Sequence, residues 1–516
     1  MEPVFSDISQ WKWPIVLSLA ICAFAANSAL SKRKLPLPPG PTGWPVVGNL
    51  FQIPQTSPWV VYKEWAKQYG GITYLNAMGQ DIVVVNDLRT AVDLLEKRAI
   101  NTSDRVGLPS LDILGLDWAF SLMPYGTEWR VRKRAFHYFF GRRQVSEHYP
   151  VIEQECLTYL RELAKTPEKL FKHSRLYFGS TLMRLSYGGN DPRYRQMLIE
   201  DGEEFVVRFS STSVPGRLLV NTFPILRHVP EWLPGAGWKR YLKDGATINA
   251  RLVPQPYYNA KTRLMDETDT DELPSLVKTL VEQLGSKTDP DYSERERIAM
   301  GVCAETYVAG VDTSFSTTGA LFAALTRYPE VQARAQAEID AVTGGNRLPV
   351  PDDMPHLPYI EAIVKETIRL FPSAPLGVPH ATTADDDFNG YLIPKKTVIL
   401  PNSWAMLRDP EMFEEPDEFR PERYLKDGKL DPSTADPSII AFGFGRRVCP
   451  GRHFGSLVLK YTAASFLAVF NIQPMKDETG NEVPVTVEYT SDLIRFLKPF
   501  KCDIKPRSPK HASWLE

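Results

Sequence analysis

The ten residues from Phe442 to Gly451 limit what this chain can fold into more than any other segment. They read FGFGRRVCPG, with an aromatic residue, glycines and an arginine at fixed offsets around Cys449. Glycines allow a backbone to bend sharply or to lie close to a flat group. Residues 451–470 are apolar at helical spacing, so the thiol would sit near a helix N-terminus, where the helix dipole favours a thiolate. A structural cysteine buried in a turn is the competing interpretation.

The pattern F-x-x-G-x-R-x-C-x-G resembles the signature of the haem-thiolate monooxygenases, the cytochrome P450 family, and every fixed position matches. The resemblance spans most of residues 38–506 and implies a haem b cofactor. It makes Cys449 the metal ligand, places Phe442 on the proximal side of the ring and pairs Arg447 with a propionate. Gly451 is implied to let the backbone lie close to the ring.

A second motif lies within Glu294–Arg327, a long stretch without proline that predicts a helix. Its segment AGVDTS, residues 309–314, resembles the oxygen-activation motif of the same family. The Thr313 hydroxyl can bond to the helix backbone and open a notch for water. The resemblance implies Asp312 and Thr313 as catalytic residues, with Asp312 relaying protons through water. Taken alone the motif is weak, because glycine and threonine in a helix usually reflect packing.

Three charged residues are expected to form a structural network behind the proximal face. Glu366 and Arg369 lie three residues apart in a predicted helix, residues 359–371, so they share one face. Arg423 lies in the segment FRPERY, which resembles a further family element with Tyr424 where phenylalanine is more usual. Buried charges must be paired, so removal of one is expected to destabilise the fold. A solvated surface pair is the alternative for the first two.

Further residues are implied to contact the cofactor. Trp129 opens the segment WRVRKR, which resembles a Trp-x-x-x-Arg element that contacts propionates. Lys133 stands where the arginine is expected; it keeps the charge but loses the bidentate fork, and Arg132 competes for this contact. His380 occupies the place where relatives have a basic propionate partner.

The distal pocket is expected, by analogy with the family, to be lined by Tyr307, Ala309, Leu376 and Val378 together with Thr313. These residues are mostly apolar, which suits a lipophilic small molecule. A terpenoid, a steroid, a fatty acid and a polycyclic aromatic fit this description equally well.

Composition and periodicity favour one large globular domain, mainly α with a small β-sheet portion. The 516 residues are 43% hydrophobic and 24% charged, and no Ser/Gly-rich linker divides them. Short strands are predicted at Ile82–Asn86 and Tyr391–Pro401, and a helix from Pro329 to about Ala341. The net charge of −2 argues against a nucleic-acid partner. Five scattered cysteines form no disulfide framework and suit a reducing compartment.

The N-terminus is the membrane feature of the chain. Residues 1–34 are predicted to be an anchor with a transmembrane helix at about 14–30, residues 35–44 a proline-rich hinge and residues 45–516 the haem-thiolate domain. Lys32-Arg33-Lys34 follows the apolar run, which places the catalytic domain in the cytosol and the single span in the endoplasmic reticulum membrane. A cleaved signal peptide is the alternative, although acidic residues near the N-terminus disfavour it.

Together these features predict a membrane-bound monooxygenase that inserts one atom of dioxygen into a lipophilic substrate by hydroxylation or epoxidation. The overall pattern is most similar to fungal microsomal members of the family, basidiomycete ones in particular, which suggests secondary metabolism or xenobiotic oxidation. Electrons are expected from NADPH through a separate cytochrome P450 reductase, with cytochrome b5 as a further candidate partner. The cluster Arg130–Arg134 with Arg142 and Arg143 is either their docking patch or a solvated face. A haem-thiolate isomerase, dehydratase or peroxygenase is the main alternative, and a non-catalytic haem-binding protein a further one.

Overall fold

The structure is a computed structural model that describes residues 35–189, 192–214, 216–266 and 273–516. Helices make up most of this chain, in agreement with the predicted mainly α fold. In chain order they are α1 Pro58–Tyr69, α2 Leu88–Val92, α3 Ala99–Thr102, α4 Pro109–Leu114, α5 Thr127–Phe140, α6 Tyr149–Lys165, α7 Leu170–Tyr187, α8 Pro192–Thr212, α9 Leu219–Thr222, α10 Gly237–Leu252, α11 Pro254–Met265, α12 Leu276–Glu282, α13 Tyr292–Arg327, α14 Pro329–Thr343, α15 Pro358–Leu370, α16 Ser403–Met406, α17 Ser438–Ala441, α18 Arg452–Val469 and α19 Pro509–Ala512.

The strands are short and form small sheets. In chain order they are β1 Ile72–Ala77, β2 Gln80–Val85, β3 His380–Ala381, β4 Asp386–Phe388, β5 Tyr391–Ile393, β6 Val398–Pro401, β7 Leu425–Lys426, β8 Lys429–Leu430, β9 Phe470–Pro474 and β10 Cys502–Pro506. The largest sheet has the order β1-β2-β6-β3, in which β2 and β6 are parallel and the other pairs antiparallel. Met78 and Gly79, both with positive φ, join β1 to β2 in a two-residue hairpin.

The sequence prediction of one strand over Tyr391–Pro401 was wrong. The structure has two strands there, because the backbone turns between them at Lys396, whose φ is +64°. β5 pairs with β4 in a separate hairpin, whereas β6 joins the large sheet beside β2. The predicted strand at Ile82–Asn86 corresponds to β2, and the predicted helix from Pro329 corresponds to α14.

The long helix α13 is the centre of the fold. It is buried for most of its length because apolar residues occur all round it, and α5, α7 and α18 pack against it. The rings of Phe322 on α13 and Phe466 on α18 lie 4.6 Å apart between centroids. Because the cysteine loop leads directly into α18, this packing fixes the loop relative to α13.

The proline-rich segment is extended, as its composition predicts, and it lies on the body of the protein. The Pro39 carbonyl accepts a hydrogen bond from the backbone N–H of Tyr74 on β1 (2.8 Å). The Pro36 carbonyl accepts one from the backbone N–H of Leu392 on β5 (2.8 Å). The predicted transmembrane segment at about 14–30 falls outside the described residues. Within the described ranges, no helix is long and apolar enough to cross a bilayer.

Candidate active site

The cysteine loop is a tight turn whose shape depends on glycine. Gly443 and Gly445 have φ of +78° and +54°, a region that favours glycine. A Cβ atom on Gly445 would lie 2.2 Å from the backbone oxygen of Leu95. The Cys449 N–H donates to the carbonyl of Phe442 (2.8 Å) and closes the loop. The sulfur is thereby presented at the N-terminal end of α18.

The surroundings of Cys449 oppose and favour a thiolate at once. Burial raises the pKa of its thiol, while the Gly451 N–H donates to the sulfur and the charges of Arg452 and Lys133 lower the pKa. A metal ion bound to the sulfur would supply the remaining stabilisation of the anion.

Gly451 has an ordinary φ of −87°. A Cβ atom added at this position would lie 3.7 Å from the nearest protein atom beyond its chain neighbours. The protein itself therefore leaves room for a side chain at Gly451.

Across from the loop, α13 exposes a small patch in an otherwise buried stretch. Ala309 is exposed and Thr313 half-buried, although the helix turns on both sides are buried. The Thr313 hydroxyl donates to the Ala309 carbonyl (2.8 Å). The thiol of Cys449 interacts electrostatically with Glu305, one turn before Ala309. The cysteine loop and this face of α13 therefore lie near each other.

Leu376 and Val378, two predicted pocket residues, are half-buried and precede β3. The Val378 carbonyl accepts a hydrogen bond from Arg105 (2.9 Å).

Tyr307, which was also predicted to line the pocket, is separated from the other predicted pocket residues. It lies two positions before Ala309, about 200° around the helix, and its ring packs towards Tyr187 and Gly202. The geometry does not support its predicted place in the pocket.

Asp312 is held by a residue that the sequence analysis did not identify. Arg175 on α7 donates to the Asp312 carboxylate (2.6 Å), and both side chains are largely buried. Burial raises the pKa of Asp312 to about 6, and Arg175 limits the rise. The group can therefore change protonation near neutral pH, which a proton relay requires. No local pattern in the sequence links Arg175 to Asp312.

Three cations near the cysteine loop lack a carboxylate partner at ion-pair distance among the described residues. All three donate to backbone carbonyl groups instead. Arg447 donates to the carbonyls of Ser103, Phe120 and Met123. Arg105 donates to those of Ser121, Val378 and Pro379, and Lys133 donates to that of Arg446. Burial lowers the pKa of Lys133 to about 8 and that of Arg447 to about 10, and it also lowers the pKa of Arg105.

Buried charges without a counter-ion are costly, so this cluster fits a bound dianion. The two propionates of a haem have the required charge, and the Cys449 sulfur would be a suitable ligand for its iron. The residues present therefore fit the cofactor. Arg105 was not predicted, and its positive charge lies close enough to His380 to lower the pKa of the imidazole.

Lys133 and Arg132, the two candidates for the propionate contact, have different surroundings. Arg132 is fully buried, pairs with Glu128 (2.8 Å) and donates to the Trp118 carbonyl. The Lys133 ammonium lies 5.0 Å from the centre of the Trp129 ring and faces the cysteine loop. The geometry favours Lys133 for the propionate contact.

Trp129 and His380 can act as neutral groups beside the cations. The Trp129 ring packs beneath the Arg447 guanidinium, 4.7 Å from centroid to carbon. His380 lies within hydrogen-bond distance of the Thr102 carbonyl through Nδ1 (2.9 Å), and burial lowers its pKa to about 3. The imidazole is therefore uncharged, so it can offer a hydrogen bond but no positive charge.

The three residues expected behind the proximal face meet in the interior. Arg369 donates to both oxygens of Glu366 (2.7 and 2.8 Å), and Arg423 donates to one of them (3.1 Å). The carboxylate also accepts the Arg420 backbone N–H (2.8 Å). Arg369 further donates to the Leu407 and Pro416 carbonyls, which ties α15 to the irregular segment that leads to the cysteine loop.

These features fit a haem-thiolate protein in which Cys449 would bind the iron and the cations around Arg447 would hold the propionates. The cytochrome P450 family model matches residues 38–490 of the chain. The chain belongs to the cytochrome P450 family and is a monooxygenase of that family, as the sequence analysis predicted.

Curated relatives match over nearly their whole length. The chain is 44% identical over 511 residues to cytochrome P450 monooxygenase COX1 of Coprinopsis cinerea, covering 97% of this chain and 98% of the relative. It is 37% identical to cytochrome P450 monooxygenase claR of Ampulloclitocybe clavipes (92% and 87%). It is 36% identical to tryptamine 4-monooxygenase of Psilocybe cyanescens (96% and 97%). The relatives are basidiomycete fungal enzymes, in agreement with the predicted type.

Proposed function

We propose that this enzyme hydroxylates or epoxidises a lipophilic small molecule in fungal secondary metabolism or xenobiotic oxidation. The observation that carries the proposal is that the Cys449 loop lies near the face of α13 on which Ala309 is exposed and Thr313 half-buried. Haem bound there would supply the chemistry of dioxygen activation. Asp312 would pass protons towards the Thr313 hydroxyl, and the cations around Arg447 would hold the propionates.

The substrate is proposed only by class. Ala309, Leu376 and Val378, the predicted pocket residues, are apolar and not fully buried, which suits contact with a hydrocarbon skeleton. The name of one relative gives tryptamine as its substrate, and the names of the other two compared relatives give none. We carry no compound over to this chain.

We propose that electrons come from NADPH through a separate flavoprotein reductase, with cytochrome b5 as a second candidate donor. Support comes from the exposed side chains of Arg130, Arg134, Arg142 and Arg143, none of which forms an ion pair in the described part of the chain. They lie on or directly after α5, the helix that brings Lys133 to the cysteine loop. A cationic surface close to the proximal loop suits an acidic partner.

Anchoring at the endoplasmic reticulum membrane remains our proposal for the location. Two exposed apolar segments support it: Trp44 and Phe51 are 61% and 73% exposed, and Ile225 and Trp232 are 73% and 80% exposed. Gly216, which precedes the second segment, lies beside Ile53 and Gln55, which follow the first. Large exposed apolar side chains of this kind mark membrane or protein contacts.

The test is a carbon monoxide difference spectrum of the reduced full-length protein, compared with Cys449→Ala and with Cys502→Ala as a matched cysteine control. We expect a red-shifted, thiolate-type Soret band in the wild type and the control and its loss in Cys449→Ala. Persistence of the band in Cys449→Ala would refute the ligand assignment. Consumption of NADPH and oxygen with product formation, after reconstitution with a reductase in membranes, then separates a monooxygenase from an isomerase, a dehydratase or a peroxygenase.

A further inference from the structure

A cavity of about 240 Å³ lies at the C-terminal end of α13. Its wall includes Arg327, the last residue of that helix, Phe371 directly after α15, and Arg408. Arg327 follows Thr313 by fourteen residues, which is about 21 Å along the helix axis. The cavity therefore lies well away from the notch at Thr313, and the proposed function does not use it.

The Arg408 side chain brings an unpartnered donor to this cavity. Arg408 is 5% exposed; its Nη2 donates to the Leu370 carbonyl (2.6 Å) and its Nε donates to the Asp417 carboxylate (3.1 Å). Its Nη1 is buried and has no hydrogen-bond partner among the described residues. Buried polar atoms of native proteins are nearly always paired, so this nitrogen calls for an acceptor from outside those residues.

A second arginine lies beside Arg408. Burial and, after it, the charge of Arg495 lower the pKa of Arg408 to about 9. The Nε and Nη1 atoms of Arg495 are themselves buried without a hydrogen-bond partner in the described part of the chain. The Arg495 guanidinium covers the ring of Tyr489, 3.7 Å from the centroid. Two neighbouring cations with unpartnered buried donors are costly unless an anion joins them.

Three guanidinium groups converge on Tyr489. Burial raises the pKa of this phenol to about 12, and the charges of Arg495, Arg408 and Arg327 each oppose the rise. The Arg327 side chain is exposed, whereas Arg408 is buried, and both line the cavity. An anion in the cavity would therefore have one cationic partner that faces solvent and one in the interior.

Two carboxylates also lie in the cavity wall, but they leave an excess of positive charge. Asp417 and Glu418 are both exposed. Asp417 pairs with Arg408, and Glu418 accepts a hydrogen bond from the Tyr328 hydroxyl (3.4 Å). Lys63 on α1 donates to the Arg408 carbonyl (3.3 Å) and adds a further positive charge. Three arginines and a lysine thus outnumber the two exposed carboxylates, which favours an anionic ligand.

We propose that this cavity binds a phosphate group, either free or at the end of a small phosphomonoester. The planar fork of an arginine matches the oxygens of a phosphate, and the charge-assisted hydrogen bonds between them are strong. Arg408 and Arg327 would contact the phosphate from the cavity wall, and the charge of Arg495 would add to its affinity. This site goes beyond the proposed function and does not depend on it.

A bound phosphate would stabilise one part of the fold in particular. Arg495 lies in the hairpin closed by the bridge between Tyr489 and Leu497, and its backbone N–H donates to the Ser373 carbonyl (2.7 Å). An anion that offsets the repulsion between Arg495 and Arg408 would hold this hairpin against the ends of α13 and α15. Phosphate is therefore expected to raise the melting temperature.

Three substitutions and one control test the site. Arg408→Met removes the buried donor, Arg495→Met removes its cationic neighbour, and Arg327→Met removes the exposed cation. The matched control is Arg240→Met, which changes an exposed arginine on α10. Because the Arg327 side chain is exposed, its variant should fold normally and keeps the test valid even if Arg408→Met does not fold.

Isothermal titration calorimetry with sodium phosphate measures binding to the full-length protein in phosphate-free buffer at fixed ionic strength. We expect the wild type and Arg240→Met to bind about one phosphate with a dissociation constant of about 0.1 mM or lower. The affinity should fall about tenfold or more in Arg408→Met and Arg495→Met, and about fivefold in Arg327→Met. Competition by glycerol phosphate at similar affinity would assign the site to a phosphomonoester, and its failure to compete would assign the site to the free ion.

Melting temperatures separate ligand binding from a purely structural role. Without phosphate, Arg495→Met should melt no lower than the wild type, because the change removes a buried charge repulsion. Phosphate at about a hundred times its dissociation constant should raise the melting temperature of the wild type by about 2 °C or more. The rise should be less than half as large in Arg495→Met, although any general effect of the salt acts on both proteins.

Three results would overturn the proposal. Neither a saturable binding heat nor a phosphate-dependent rise in melting temperature in the wild type would show that water alone satisfies the buried donors. Equal phosphate affinities in the wild type, Arg327→Met and Arg408→Met would place the phosphate elsewhere on the protein. A lower melting temperature of phosphate-free Arg495→Met, together with an unchanged phosphate affinity, would assign Arg495 to the fold alone.

Discussion

Arg175 donates a 2.6 Å hydrogen bond to Asp312 and covers the ring of Phe315 with its guanidinium, 4.3 Å from the centroid. Arg175 also lines a cavity of about 500 Å³ between α7, α8 and α13. The cation that controls Asp312 thus stands between that buried carboxyl and a space large enough for water. Proton exchange at Asp312 is therefore expected to depend on Arg175.

Replacing Arg175 with methionine should raise the pKa of Asp312 above its present value of about 6, by roughly one to three units. Whether turnover requires protonated or ionised Asp312, the limb of the pH profile that reflects titration of Asp312 should move to higher pH. The profile of coupled product formation between pH 5.5 and 9 measures this shift. Lys172→Met, an exposed change in the wall of the same cavity, should leave the profile in place. An unshifted profile in Arg175→Met would show that Asp312 does not take part in proton delivery.

The same pair makes a prediction about stability. The pKa of Asp312 in the folded protein lies above its ordinary value of 3.8, so the native state binds the additional proton between about pH 4 and 6. The free energy of unfolding should therefore fall as the pH rises through this window. In Arg175→Met the decline should continue to higher pH. Urea unfolding at a series of pH values measures the effect, and a decline that ends at the same pH in both proteins would contradict it.

The Glu366 network should be the most sensitive charged site in the fold. Arg369→Ala leaves the Glu366 carboxylate buried with an incomplete set of partners, and should lower the free energy of unfolding by about 3–5 kcal/mol. Arg420→Ala is a suitable control, because the Arg420 side chain pairs at the surface with Glu414 and Glu415. Its effect should stay within about 1 kcal/mol. Chemical unfolding of the two variants measures both values, and equal losses would contradict a special role for the buried pair.

Local chemistry explains which parts of this molecule were predictable. The Cys449 loop and the AGVDTS segment carry their residues at fixed short spacings, so the sequence alone indicated them. Helices α13, α14, α15 and α18 were found to within a few residues because periodicity and proline mark their bounds. Arg105 and Arg175 were missed because each reaches its partners across a long sequence separation.

The cationic surface on α5 predicts a salt-dependent reduction rate. Changing Arg134 and Arg143 together to glutamate should slow the first electron transfer from the reductase by about tenfold or more at low ionic strength. The difference should shrink at high salt, where the charges are screened. Stopped-flow reduction under carbon monoxide measures the rate. Lys510→Glu, which reverses one exposed charge on α19, should have little effect, and a similar slowing there would indicate a non-specific charge effect.

Two glycines of the cysteine motif, Gly445 and Gly451, should respond differently to substitution by alanine. Gly445→Ala places a methyl group 2.2 Å from the Leu95 oxygen at a φ of +54°, so the loop must shift. We expect loss of the thiolate-type carbon monoxide band and of several degrees in melting temperature. Gly451→Ala meets protein atoms only at ordinary contact distances, so the haem-free protein should keep its melting temperature. If the Gly451→Ala protein nevertheless binds haem weakly, the added methyl group interferes with the haem ring rather than with protein atoms.

Arg105 should affect the haem-free and the haem-loaded protein in opposite directions. Without a propionate, its guanidinium is enclosed by carbonyl groups and has no ion-pair partner among the residues that the structure describes, so Arg105→Met should raise the melting temperature of the haem-free protein. With haem bound, the same change removes a positive charge from the propionate site, and haem transfer to an excess of scavenger protein should be about tenfold faster. Arg130→Met, a change at an exposed neighbouring cation that donates to Thr127, should alter neither quantity. A lower melting temperature of haem-free Arg105→Met, or an unchanged rate of haem loss, would show that Arg105 supports the fold rather than the cofactor.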